Sequence, residues 1–279
     1  MDNLAEEFLE SGWTTYGLIE LEGMEAEGHE GVDRLDRLTR ILARGNRPQL
    51  EKAQNMLYLW LRRKDSSTHH LSSQLRLRRV FILKKLHQFD TAINEAKLLL
   101  AQQPESATLT CLLGNLYGWL AGAENWGTAL TYFEKAVVLA SEWWEPRFER
   151  MDKMFFLGLS NPDFWKRIVD DTKNLSGWFP TMTDRERLIV LTYGAVAAAL
   201  LDPNYIDTPQ YGKQRNDARE TKIPSDQHED WYVEDVYTVA VKGRYSGGDE
   251  TSNRLRSELR NFLNDTHSKL MPDEPWSVG

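Results

Sequence analysis

Three observations predict an all-α fold for this chain. Apolar residues recur at helical spacing in run after run from Val32 onward. The runs are about 12 to 20 residues long, and turns of about two to six residues join them, as antiparallel helical hairpins require. Strand signals are scarce. The chain has 279 residues, 41% of them hydrophobic, and ten tryptophans. That composition excludes a mainly disordered protein, and a fold of this size has a large core to bury.

Asp33 is placed to cap a first helix carrying Leu35, Leu38, Ile41 and Leu42. Gly45 and Pro48 end it and start a second, with Leu50, Ala53, Leu57, Trp60 and Leu61 on one face. After the polar turn Asp65-Ser66-Ser67-Thr68, a third helix carries Leu71, Leu75, Phe81, Leu83 and Leu86. A fourth carries Phe89, Ile93, Ala96, Leu99 and Leu100. Pro104 breaks the chain before a fifth helix over 107–120, and a sixth is expected over 126–141. Shorter helices follow near 146–157 and 162–174, then one at 184–201 that starts from Thr183-Asp184-Arg185-Glu186.

Residues 202–230 differ. Asp202-Pro203, Asp207-Thr208-Pro209 and Ile223-Pro224-Ser225-Asp226 punctuate a polar stretch without clear periodicity, which reads as a loop or linker. Residues 236–241 are β-branched enough for a strand and fit a helix equally well. Thr251 or Ser252 caps a last amphipathic helix with Leu255, Leu259, Phe262, Leu263 and Leu270 on one side. The tail 272–279 holds one aromatic anchor, Trp276. The expected organisation is therefore an acidic arm at 1–31, a helical domain at 32–201, the loop at 202–230, C-terminal helices at 231–271 and the tail.

The net charge of -8 conceals an uneven distribution. Residues 1–31 hold nine carboxylates and no Lys or Arg, whereas residues 32–98 hold fifteen basic and six acidic side chains. Such an arrangement lets the arm screen the basic surface, on its own copy or a neighbouring one, or lets each recruit its own partner; charge runs also serve solubility.

An internal repeat runs through the middle of the chain. Leu113-Gly114 is followed by Tyr117, and then by Ala129, Phe133 and Ala136. In this pattern the chain resembles the tetratricopeptide-repeat family, in which a Leu-Gly pair and a Tyr mark helix A and a small–Phe–small series marks helix B. The physical logic is small residues where helices cross and an aromatic filling the gap between them. A partial second unit supplies Ala92 and Ala96, with Pro104 where the family places it. Ala92 and Ala129 lie 37 apart, against roughly 34 in the family, and the extra residues are assigned to the turn near 121–125. Val80 and Leu83 stand where the family prefers Gly and Tyr. The resemblance covers about 71–146, weakens over 33–70 and 147–201, and implies hairpins stacked as a short α-solenoid.

Reactive constellations are poor. The six histidines show no ligand spacing, His69-His70 being adjacent, and the lone Cys111 builds neither a disulfide nor a thiolate zinc site. No metal or cofactor is expected. His228-Glu229-Asp230-Trp231 reads as a solvated helix start, and Ser246-Gly247-Gly248-Asp249 as a turn.

Binding signals are richer. Arg34, Arg37, Arg40 and Arg44 form one stripe, and Arg62, Arg63, Arg76, Arg79, Lys84 and Lys85 add basic groups on the next two helices. A candidate groove gathers Asn115, Trp126, Trp143 and Trp144. Some tetratricopeptide domains grip a terminal carboxylate with Lys and Asn on successive A helices. Asn115 matches that Asn, but Cys111 stands where the Lys belongs, so the clamp is incomplete.

The leading expectation is a non-catalytic helical-repeat adaptor that binds a protein or acidic peptide, with self-association through the arm as a further option. The alternatives are a nucleic-acid-associated regulator using the basic helices and an enzyme built around the 202–230 loop. The longest apolar run, 188–201, falls short of the roughly 18 residues of a membrane span. Together with a single cysteine, this predicts a cytoplasmic protein without a membrane partner.

Overall fold

The computed structural model describes residues 31–62, 71–225, 235–242, 245, 247–274 and 276. The arm up to residue 30, the segment 63–70 with Arg63 and His69-His70, and the His228–Trp231 cluster lie outside the described residues. Among the described residues every regular element is helical. They divide into two compact units, Met1–Leu120 and Ala121–Gly279.

In the first unit, α1 (Gly31–Leu42), α2 (Arg47–Leu61), α3 (Ser72–Lys85), α4 (Phe89–Gln102) and α5 (Ala107–Trp119) each pack against the next, and α1 also meets α3. Local chemistry sets the ends. Asn46 accepts from the Gln49 backbone at 3.3 Å while the Gln49 side chain accepts from the Asn46 backbone at 2.9 Å, a reciprocal cap that starts α2. Ser106 accepts from the Leu109 backbone to start α5. Between α3 and α4 the chain reverses through His87 at φ 59, a left-handed conformation uncommon outside glycine. Leu35, Leu38, Leu42, Leu50, Ala53, Leu57, Leu75 and Ile82 form the core that joins α1, α2 and α3.

The second unit opens with α6 (Ala123–Leu139), α7 (Glu145–Leu157) and α8 (Asp163–Leu175), followed by a 3₁₀ turn at Ser176–Thr181. Then come α9 (Asp184–Leu201), a 3₁₀ turn at Pro203–Asp207, α10 (Pro209–Glu220), a π-helical turn at Val236–Lys242 and α11 (Glu250–Leu270). Thr183 and Glu186 form the capping box of α9. Residues 188–200 of α9 are buried without exception. The helix touches α7, α8, α10 and α11, so it is enclosed, whereas a helix in a linear stack keeps a solvent face. Gly194, Ala195, Ala197, Ala198 and Ala199 make this possible, because small side chains let neighbours approach on every side.

Two expectations are corrected, and one that the sequence left open between strand and helix is decided. Residues 202–230 are not one loop: α10 occupies 209–220, capped by Thr208, with Tyr211 and Ala218 buried against the second core. Its polar composition had hidden a helix with only a narrow apolar stripe. The β-branched run near 236 is π-helical, and Val236, Tyr237 and Val241 are buried. Finally, α6 starts at Ala123, three residues before Trp126, because Gly122 takes φ 107 and lets a short turn suffice. The extra residues of the 37-residue spacing therefore lengthen the helix rather than the turn.

Of the residues that carry the repeat pattern, Ala92, Leu113, Gly114, Ala129, Phe133 and Ala136 are buried, Tyr117 is half-buried and Pro104 is exposed. The division between units falls at Leu120, within the expected helical domain 32–201 and between the two helices expected to form its clearest repeat. Cys111 is a buried core residue. No helix among the described residues is long and apolar enough to cross a membrane.

Candidate binding surface

The arginines of the first unit sort into two groups. On the inside, Asp36, which is buried on α1, accepts from Arg78 Nη1 at 2.6 Å and from Arg40 Nη2 at 2.6 Å. Arg78 also donates to the Thr39 hydroxyl at 3.0 Å. Glu95 on α4 holds both Arg76, at 3.1 Å, and Arg79. Arg79 is only 6% exposed and belongs to the core, a correction to its place on the basic surface. A charge so deep needs a carboxylate beside it, and α4 supplies one. Arg76 is largely buried in the same pair. Sequence reasoning missed Asp36 and Glu95 as the partners that draw these arginines inward; only the i,i+4 relation of Asp36 to Arg40 was visible.

On the outside, the C-terminal ends of α1, α3 and α5 form one edge. Lys85, at the end of α3, donates from Nζ to the Ala43 carbonyl at 2.8 Å, beside Arg44 at the end of α1. A cation is favourable there because the last carbonyls of a helix carry partial negative charge. Lys84, one residue earlier, lies 5.8 Å from the Trp119 ring at the end of α5. Trp119 is half-exposed and stacks on Phe89 at 6.3 Å and 8°. The His87 ring meets Phe89 edge-on at 5.7 Å. Arg44 is exposed and makes no ion pair among the described residues. Arg40 is exposed while bound to Asp36, and Arg37 is half-buried on the same helix. Arg62 stacks 5.3 Å from Tyr58 on α2 and donates to its hydroxyl at 2.9 Å. Arg34 lies within α1.

The expected groove is divided between the units. Asn115 is half-buried on α5 of the first. The tryptophans belong to the second, where Trp126 packs 6.0 Å from Phe156 and Trp144 meets Phe148 edge-on at 5.9 Å. Trp143 is half-buried in the turn before α7. Trp119, absent from the sequence-predicted set, is with Tyr58 and Phe81 an exposed aromatic of the first unit, and Phe89 beneath it is half-buried. The pairing of Trp119 with Phe89 joins helix ends 30 residues apart, which no local pattern signals. No protein-family model matches the chain, and comparison with curated proteins finds no match.

Proposed function

We propose that this chain is a non-catalytic adaptor whose helical hairpins, stacked as a short tetratricopeptide-like solenoid, bind a protein or acidic peptide. The observation that carries the reading is the edge of the first unit on which Arg44, Lys85, Lys84 and Trp119 stand together. The half-exposed, ring-stacked tryptophan and Arg44 are of types enriched at protein interfaces, and the two lysines beside them suit a partner carrying carboxylates among apolar residues. The acidic arm has that chemistry itself, with Phe8, Trp13 and Tyr16 among its carboxylates, so self-association through the arm belongs to the same proposal. So does a cytoplasmic location.

Affinity capture on the full-length protein, with a Lys84→Glu/Lys85→Glu variant as control, tests the reading. The expected result is a recurrent protein partner that the variant loses and that weakens as salt rises, because the Debye length falls from about 10 Å at 0.1 M to about 3 Å at 1 M. Recovery that depends on nuclease-sensitive material favours the nucleic-acid regulator instead.

A further inference from the structure

The second unit holds a cleft of about 440 Å³ that the adaptor reading does not use. Its floor is apolar: Val169 of α8, Phe179 of the first 3₁₀ turn and Leu191 of α9. At Gly194 an added Cβ would fall 2.5 Å from the Thr172 hydroxyl, so the missing side chain keeps α8 and α9 pressed together under the cleft.

One wall is a face of α10. Gln210, Lys213, Gln214 and Asp217 line the cleft at helical spacings of three, one and three, while the opposite face packs inward. There Tyr211 meets Phe262 edge-on at 6.0 Å, and Arg215 pairs with Glu258 of α11. The hydroxyl of Tyr205 donates to Gln214 Oε1 at 2.8 Å, which leaves the Gln214 amide donors for another acceptor. Lys213 makes no ion pair among the described residues, and Lys173 at the far wall holds Asp170 at only 3.4 Å.

Two ammonium groups, one carboxylate and a set of amide donors thus surround an apolar floor. Pockets of this size and lining take small molecules, with a few polar groups fixing orientation. We infer that the cleft binds a small amphipathic anion: a ligand whose apolar body lies on Val169, Phe179 and Leu191 and whose single anionic head meets Lys213 and the Gln214 amide. Lys213, the lining ammonium without an ion pair among the described residues, favours one negative group, and Asp217 discriminates against a second.

Calorimetric titration of the full-length protein with sodium octanoate and with octan-1-ol tests this. Octanoate should bind saturably and about tenfold more tightly than the alcohol, the scale of one charge-assisted hydrogen bond. Lys213→Glu alters an exposed side chain, so it should leave the melting curve unchanged and weaken octanoate about tenfold. Val169→Trp should block both probes by filling the floor. The inference is overturned if neither probe binds saturably. It also falls if the two bind equally, or if octanoate binding survives Lys213→Glu in a protein whose melting curve is unchanged.

Discussion

Arg150 clasps Asp171 with two parallel hydrogen bonds, Nε to Oδ2 at 2.7 Å and Nη2 to Oδ1 at 2.6 Å. The side chains are 12% and 4% exposed, so the pair ties α7 to α8 largely out of water. Removing one partner leaves the other charge buried and alone. Asp171→Ala should therefore cost about 3–5 kcal/mol, read as a shift in the urea midpoint. Replacing both partners, as in Arg150→Met/Asp171→Leu, should cost less than the single change.

Gly194 offers a test of sign. A glycine in mid-helix is about 1 kcal/mol worse than alanine, so Gly194→Ala would stabilise an open site. Here the new Cβ meets Thr172 Oγ1 and Cγ2 at 2.5 and 2.6 Å. The substitution should instead destabilise by about 1–3 kcal/mol. Adding Thr172→Ala should recover part of the loss, and a double-mutant cycle by thermal melting measures that coupling.

Glu145, in the first turn of α7, has its Oε2 buried without a hydrogen-bond partner. Burial, with the nearby Glu186 charge added, raises its pKa above the ordinary 4.5, against the lowering effect of its backbone hydrogen bond. The folded protein thus holds this proton more tightly than the unfolded chain. The associated stability is fully present below pH 4.5 and is lost as pH rises through the raised folded-state value. Glu145→Gln should raise the melting temperature at pH 7 and give no gain near pH 4.

Arginines of the two groups should respond differently to truncation. Arg79→Ala removes one of the two arginines on Glu95, leaving Arg76 in place, and should destabilise by about 1–3 kcal/mol, whereas Arg44→Ala should stay within about 0.5 kcal/mol of the parent. Denaturant titration followed by circular dichroism measures both.

Much of the secondary structure was legible because its causes are local. Pro48, Pro104, and Thr183 with Glu186 lie within about three residues of the helix starts they mark. Apolar spacing marks the buried faces of α1, α2 and α4, whereas Phe81, read on the apolar face of α3, is exposed. The amphipathic α11 was legible from Leu255, Leu259, Phe262 and Leu263 for the same reason, although its cap is Asp249 and not Thr251 or Ser252, which lie inside the helix. Where the apolar stripe was thin, as in α10 with Tyr211 and Ala218 alone, local pattern failed and packing against α11 decided the element.

The sequence by itself determined that the chain is helical, where most helices begin, and that positive charge concentrates in residues 32–98. Only the tertiary structure decided which of those charges remain outside. Arg78 reaches Asp36 across 42 residues and Arg79 reaches Glu95 across 16, so their burial depends on which helix packs beside which. The same holds for the enclosure of α9, the cleft beside α10 and the pairing of Trp119 with Phe89. Helix periodicity and capping act over a few residues along the chain, whereas a surface or a cleft is made by distant residues brought together through packing.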